Sequence, residues 1–329
     1  MSFTVQKILQ DSGMSGGRLL WPAGMERGTE GSGLPDLNIH KEGTEVADNY
    51  ALELKQITKR FGSVLANDHV DLTLKKSEIL AILGENGSGK TTLMNMIYGI
   101  YYPDSGHIFV DGKEVTIRSP RDSFELGIGM VHQHFKLVDV LTAAENIILG
   151  LPGKQMLNMK KVTEEIQALL DRYGFDLDLS EKIYQMSVSQ KQTVEIVKVL
   201  YRGAKILILD EPTAVLTPQE ADRLFDILRN MRKDGCSIII ITHKLQEVLA
   251  LSDRVAILRK GQYIDTVETS QANIQSLSEM MVGAKVDLDI DRPEPHDMKK
   301  RLEIKGLTCK DKEGVKTLDD VDVTVNSGE

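Results

Sequence analysis

Cysteine is nearly absent from this chain. Cys236 and Cys309 are the only two in 329 residues, too few for a disulfide framework, and they fit a reducing compartment. Aromatic residues make up only 5%, with a single tryptophan, Trp21. No run approaches the ~18 apolar residues of a membrane-spanning helix. The densest runs, Ile206–Leu209 and Ile238–Ile241, are strand-length. The opening residues, MSFTVQKILQDSG, lack the apolar stretch of a secretory signal. Positive charge is also in deficit: 40 Lys and Arg face 49 Asp and Glu, a net charge of −9. A basic surface for nucleic acid is therefore not expected, although a small basic pocket for phosphates is compatible with the total. At 41% hydrophobic and 27% charged residues the chain has globular composition, and its length suits about two domains.

Residues 1–47 are interrupted by Gly13, Gly16, Gly17, Gly24, Gly28, Gly31 and Gly33. A flexible extension is expected there, with a small docked appendage as the alternative. From Tyr50 the pattern changes. Leu52, Leu54 and Ile57, then Val70, Leu72 and Leu74, alternate with polar residues as half-buried strands do. Ile79–Leu83 reads as a buried strand, followed by a Gly-rich turn and a helix over Thr91–Tyr98. Residues 142–203 read as mostly helical, with Thr142 and Glu145 forming a capping box. Strands then alternate with helices: Ile206–Leu209, Pro218–Lys233, Ser237–Ile241, Lys244–Leu249, Arg254–Leu258. This rhythm predicts an α/β fold with a mainly parallel core sheet, to which the first strands add an antiparallel β lobe and the central block a helical lobe.

Residues 284–300 carry two prolines and dense charge, and read as a linker. Beyond it the chain repeats itself. The segment from Leu302, LEIKGLTCKDKEGVKTLDDVDVTVNSGE, parallels LELKQITKRFGSVLANDHVDLTLKKSE from Leu52. The expected organisation is an extension (1–47), a first domain (48–283), a linker (284–300) and the truncated start of a second domain (301–329).

Gly84-Glu85-Asn86-Gly87-Ser88-Gly89-Lys90-Thr91 matches GxxxxGK[ST] in the setting strand, loop, helix. Glycines there let successive backbone N–H groups converge on phosphate oxygens, with a helix N-terminus behind them. Lys90 is expected to reach the β/γ-phosphates and Thr91 to ligate Mg²⁺. The apolar strand Ile206–Leu209 ends in Asp210-Glu211. Asp210 can hold Mg²⁺ and Glu211 can accept a proton from an attacking water. Gln133 follows the apolar segment Ile128–Val131 and can touch Mg²⁺ or that water. His132 and His134 flank it without a supporting Cys or carboxylate cluster, so zinc is not expected. His243 follows Ser237–Ile241, where a side chain can reach a γ-phosphate.

Together these residues resemble the ATP-binding subunits of ABC transporters, over residues 50–284 and again from 302. The resemblance implies a P-loop NTPase fold of the ABC ATPase type. It implies that Phe61 stacks on adenine and that Gly84, Asn86, Gly87, Ser88, Gly89, Lys90, Thr91 and Thr92 hold ATP as the Walker A loop. It makes Asp210 the Walker B aspartate, Glu211 the catalytic base, Gln133 the Q-loop glutamine and His243 the switch histidine. Thr91, Gln133 and Asp210 are then the Mg²⁺ residues. Ser187, Ser189 and Gln190 fall in the signature that completes the site of an opposing domain. Ser189 stands where the family has its second glycine, where a side chain could crowd a backbone approach or demand dihedral angles that serine dislikes. Thr193, Thr217 and Ser77 also replace a common arginine, aspartate and glycine; the second copy keeps that glycine, as Gly328.

VHQHFKLVDVLTAAENIILG and EPTAVLTPQE are most similar to importers of nucleosides, with simple-sugar importers as close relatives. The implied partners are integral-membrane permease subunits and a second ABC ATPase domain, in cis or in trans. An extracytoplasmic substrate-binding protein acts indirectly, and nucleic acid is not implied. The implied place is peripheral, at the cytoplasmic face of the cell membrane. A truncated ATP-binding remnant with little hydrolysis alone is the rival expectation. The ribosome-acting relatives have a longer charged linker than 284–300.

Overall fold

The computed structural model describes residues 49–151, 158–285, 299–310 and 314–328. The expected extension 1–47 and most of the expected linker lie outside them. Among the described residues no helix is long and apolar enough to cross a membrane.

The larger part of the described chain opens with strands β1 (Tyr50–Phe61), β2 (Val64–Lys75) and β3 (Ile79–Leu83). Helix α1 (Lys90–Ile97), β4 (Ser105–Val110), β5 (Lys113–Val115), α2 (Pro120–Glu125) and β6 (Ile128–Val131) follow. Then come α3 (Ala143–Ile148), α4 (Met159–Tyr173), α5 (Val188–Tyr201), β7 (Ile206–Asp210), α6 (Pro218–Lys233) and β8 (Ser237–Ile241). Helix α7 (Leu245–Leu251), β9 (Arg254–Arg259), β10 (Gln262–Glu268) and α8 (Ile274–Val282) complete it. The helical block is less continuous than its sequence suggests: between α4 and α5 the chain runs irregularly, with one 3₁₀ turn at Ile183–Gln185.

Two sheets form the frame. β2-β1-β4-β5 is antiparallel throughout, and β10-β9-β3-β8-β7-β6 is parallel except for β10. β3, β7 and β8 are buried along their whole length, which is why they read as unbroken apolar runs. Successive side chains of a strand point to opposite faces, and the core divides accordingly. Leu207, Leu209, Ile238 and Ile240 pack with α4, α5 and α6. Ile206, Ile208, Ile239 and Ile241 pack with α1 and the antiparallel sheet. The expected capping box of Thr142 with Glu145 forms on α3; Thr217 with Glu220 also caps α6, and Gly174 takes the left-handed conformation after α4.

The second copy forms its own two-stranded sheet, β11 (Lys300–Lys310) with β12 (Lys316–Asn326). It repeats the irregularities of β1–β2 as well as its pattern. Gln56 and Gly306 both take positive φ, 54° and 58°. Each donates its backbone N–H to an aspartate facing it, Asp71 at 2.8 Å and Asp322 at 2.7 Å. His69 and Asp320 also take positive φ, and each backbone N–H donates to a threonine hydroxyl, Thr58 and Thr308, at 3.1 Å. Leu302, Leu307, Val323 and Val325 are exposed, whereas Leu52, Ile57, Leu72 and Leu74 at the matching positions are buried.

Candidate functional site

In a parallel sheet the loops at the strands' carboxyl ends form the natural crevice for a ligand. Here four neighbouring strands deliver one chemical group each. The Gly84 loop follows β3, His243 follows β8, Asp210 ends β7, and Gln133 follows β6. The register pairs Ile82 with Ile241, Asp210 with Ile241 and Val131 with Leu209, so these ends lie level. They open onto one cleft of about 600 Å³ lined by Phe61, residues 86–92, Gln133, Asp210, Glu211 and His243.

The phosphate loop is shaped by close approach. A Cβ on Gly84 would stand 2.2 Å from the Leu258 carbonyl, and one on Gly89, at φ 97°, 2.4 Å from the Ala66 carbonyl. Only glycine fits either place. Gly89 caps α1 without a side-chain bond, and the first turn carries no acidic residue. The positive end of the helix dipole is left facing the loop. Lys90 is 7% exposed and donates to the carbonyls of Gly84 (2.7 Å) and Glu85 (2.9 Å). Burial pulls its ammonium below the ordinary value, while Glu211 and Asp210 pull the other way. Ser88 Oγ is buried without a partner among the described residues.

Asp210 is 7% exposed, with Thr91 beside it. Burial first, then the Glu211 charge, raises its proton affinity, and Lys90 and Thr91 offset this in part. The carboxylate is thus short of counter-charge. Glu211 sits at φ 50°, its N–H held by the Ile241 carbonyl at 2.9 Å. Such strain in a non-glycine residue persists where the surroundings enforce it. Glu211 Oε1 lies 2.9 Å from His243 Nδ1, and Oε2 is buried without a partner among the described residues. Phe61 is 42% exposed on the cleft rim, with Tyr101 edge-on at 5.1 Å between ring centroids.

Ser187, Ser189 and Gln190 are not part of this cleft. They line a separate cavity of about 730 Å³ with Tyr173, Thr193 and Glu220. Ser187 caps α5 and makes a capping box with Gln190. Ser189 lies inside the first turn of α5 and has no positive φ, so the feared dihedral strain is not found. His132 and His134 part company: His134 is exposed, while burial pushes the His132 imidazole down to about 4.

Several residues outside the motifs hold the site. Asn67, fully buried, donates to the Gly89 carbonyl at 3.3 Å. Gln192 donates to the Pro212 carbonyl at 2.6 Å, joining α5 to the end of β7. Lys244, next to His243, donates to the Thr213 carbonyl (2.9 Å) and hydroxyl (3.3 Å) and pairs with Glu247 at 3.0 Å. Thr213 in turn donates to Glu247. Nearness to Glu211 and His243 was the only sequence signal for Thr213, Lys244 and Glu247, and Asn67 and Gln192 had none.

Comparison with known proteins gives the same picture. The family model described as ABC transporter matches residues 67–214. This is an ABC ATP-binding domain. Its curated relatives include the glucose import ATP-binding protein TsgD13 of Haloferax volcanii, 44% identical over 84% of this chain and 56% of that protein. The nucleoside import ATP-binding protein NupA of Lactococcus lactis is 46% identical over 86% and 56%. The guanosine import ATP-binding protein NupO of Bacillus subtilis is 46% identical over 85% and 55%. The chain thus spans a little over half the length of these relatives. The ADP conformation of MJ1267, an ATP-binding cassette of an ABC transporter, superposes with a TM-score of 0.62 at 27% identity, covering 71% of this chain and 99% of that one. The ABC domain is therefore a nucleotide-binding fold of the P-loop type, with the parallel core, antiparallel lobe and helices expected of it.

Proposed function

We propose that this chain is the ATP-binding and hydrolysing part of a membrane importer, with nucleosides as the transported class. The ATPase assignment is carried by one observation: Lys90, Gln133, Asp210, Glu211 and His243 share a single cleft. Phe61 packs on the adenine, while the N–H groups of the loop and Lys90 hold the phosphates. Glu211 takes the proton of the attacking water through its unpartnered Oε2. Gln133 and His243 orient the water and the terminal phosphate. Thr91, Asp210 and Gln133 would hold Mg²⁺, and they fit it: the donors are hard oxygens and the Asp210 carboxylate lacks counter-charge. When bound, the ion neutralises charge on the β and γ oxygens.

Ser187, Ser189 and Gln190 serve the phosphate site of another ATPase domain, in the same protein or in another chain. Residues 284–300 are the linker and residues from 301 the opening hairpin of a second domain of the same kind. The repeated strand irregularities at Gln56 and Gly306 support this. Closure of two domains is passed to integral-membrane permease subunits at the cytoplasmic face of the membrane, and an extracytoplasmic binding protein delivers the solute. NupA and NupO, both named for nucleoside-type import, support nucleosides. Simple sugars are the second reading, favoured by TsgD13.

Two measurements test this. Lys90→Ala should weaken binding of a fluorescent ATP analogue by about 100-fold, roughly 3 kcal/mol, whereas Glu211→Gln should retain binding and lose turnover. Equal turnover in Glu211→Gln would remove the base assignment. Cells carrying Lys90→Ala should lose uptake of labelled guanosine but keep uptake of labelled ribose and glucose. Loss of sugar uptake alone would replace the nucleoside assignment.

A further inference from the structure

Phe61 is the last residue of β1, at the tip of a hairpin that turns through Gly62 at φ 57°. Its strand loses a neighbour before it ends. β4 pairs with β1 only as far as Thr58, opposite Ser105. Lys59, Arg60 and Phe61 pair with β2 and with no other strand among the described residues. A hairpin tip held along one edge opens more easily than the body of a sheet. Pairing alone therefore does not fix a ring that has to receive a base. We propose that Asp104 and Tyr101 are positioning residues that hold the Phe61 ring where adenine packs, a role that rests on the reading of Phe61 as the adenine platform.

Asp104, the residue before β4, supplies the missing edge. Its backbone N–H donates to the Thr58 carbonyl at 2.8 Å. Its carboxylate accepts the Arg60 N–H at 2.7 Å on Oδ2 and the Lys59 ammonium at 2.8 Å on Oδ1. These bonds hold the Asp104 carboxyl below its ordinary value, the Lys59 bond most of all. The same ammonium donates to the Tyr102 carbonyl at 2.7 Å and lies 5.5 Å from the centre of the Phe61 ring, within reach of a cation–π contact. Tyr101 meets that ring edge-on. Phe61 is thus braced by a cation and a second ring and still presents surface to the cleft.

The brace is anchored to the helix that begins at the phosphate loop. The N–H groups of Ile100 and Tyr101 both donate to the Asn95 carbonyl, at 2.8 and 3.1 Å. Helix α1 starts at Lys90 and ends just before this turn. One rigid element therefore sets both ends of the nucleotide: the phosphates at its N-terminus, and the base through Tyr101 and Asp104. A ring already in place spares the cost of ordering it when the base arrives. The Asp104 side chain is 46% exposed, and an ion pair so exposed adds little to stability. Its loss therefore leaves the fold and the phosphate end intact.

Titration calorimetry on the full chain, with ATP and with inorganic tripolyphosphate as probes, tests this role. Tripolyphosphate keeps the phosphates and lacks the base. Phe61→Ala should weaken ATP by about 10-fold, the worth of one base–aromatic stack, and leave tripolyphosphate unchanged. Asp104→Ala and Tyr101→Ala should each weaken ATP severalfold, again with tripolyphosphate unchanged. Tyr101→Phe, which keeps the ring, should bind ATP as the wild type does. In the Phe61→Ala background Asp104→Ala should cost nothing further, because both act on one ring. Wild-type ATP affinity in Asp104→Ala and Tyr101→Ala, or equal losses for ATP and tripolyphosphate, would overturn the positioning role. Wild-type ATP affinity in Phe61→Ala would instead remove the adenine reading itself, and the positioning role with it, while leaving the phosphate-loop assignment intact.

Discussion

Asp210 is held in the folded chain with its proton affinity raised above the ordinary aspartate value of 3.8, by burial first and by Glu211 second. A raised carboxylate costs stability once it ionises. The cost is absent below 3.8 and grows as pH rises through the raised value. Asp210→Asn should therefore melt higher than wild type at pH 7, and the gain should shrink on acidification. A gain independent of pH in thermal melts would contradict this. Ser77 is a second strained position, at φ 54° where Gly328 stands in the repeat at φ 88°. Its N–H donates to Ser237 Oγ at 3.0 Å, and its carbonyl accepts from Arg232 Nε at 3.1 Å. Ser77→Gly should keep both bonds and stabilise by up to about 1 kcal/mol in urea unfolding, since left-handed backbone costs serine more than the extra chain entropy of glycine. At this scale the sequence revealed which residue types matter. It did not reveal their neighbours: that Gly84 faces the Leu258 carbonyl, or that Gly89 faces that of Ala66, is a property of chain segments far apart.

Among the elements, the ends of β7 and β8 are tied together by Thr213, Lys244 and Glu247, and β7 is tied to α5 by Gln192. These bonds set where Glu211 and His243 stand relative to each other. Thr213, 1% exposed, has no water to replace a lost partner. Thr213→Val should cost about 1–3 kcal/mol in urea unfolding. In a double-mutant cycle with Lys244→Met the two losses should be non-additive by about 1 kcal/mol. Strict additivity would show that the groups do not act together. Helices and strands of residues 50–282 were legible because caps and periodicity are local. Pro218–Lys233 and Ser237–Ile241 keep their sequence boundaries in the structure. Of the two expectations at Ser189, a crowded backbone approach or disfavoured dihedral angles, the structure contradicts the second for an equally physical reason. Its family position suggested an unusual backbone, yet the capping box of Ser187 and Gln190 sets an ordinary helical turn there.

For the whole molecule, the signature residues and the phosphate loop line different cavities. Under the proposed function a single copy supplies only half of each composite site and should turn over ATP slowly. The rate of the 329-residue chain should rise faster than linearly with its concentration as two copies meet. A fast rate strictly linear in concentration would contradict this. The sequence by itself determined the chemistry: the GxxxxGK[ST] loop, Asp210-Glu211, the α/β rhythm and the repeat from Leu302, all encoded in neighbouring residues. Only the tertiary structure decided which groups share a cavity. It brought Phe61, Lys90, Gln133, Glu211 and His243 to one cleft and left Ser187, Ser189 and Gln190 on another. The order of strands β3-β8-β7-β6 does this, because sheet pairing is a long-range choice made by burial of whole faces and no local spacing records it.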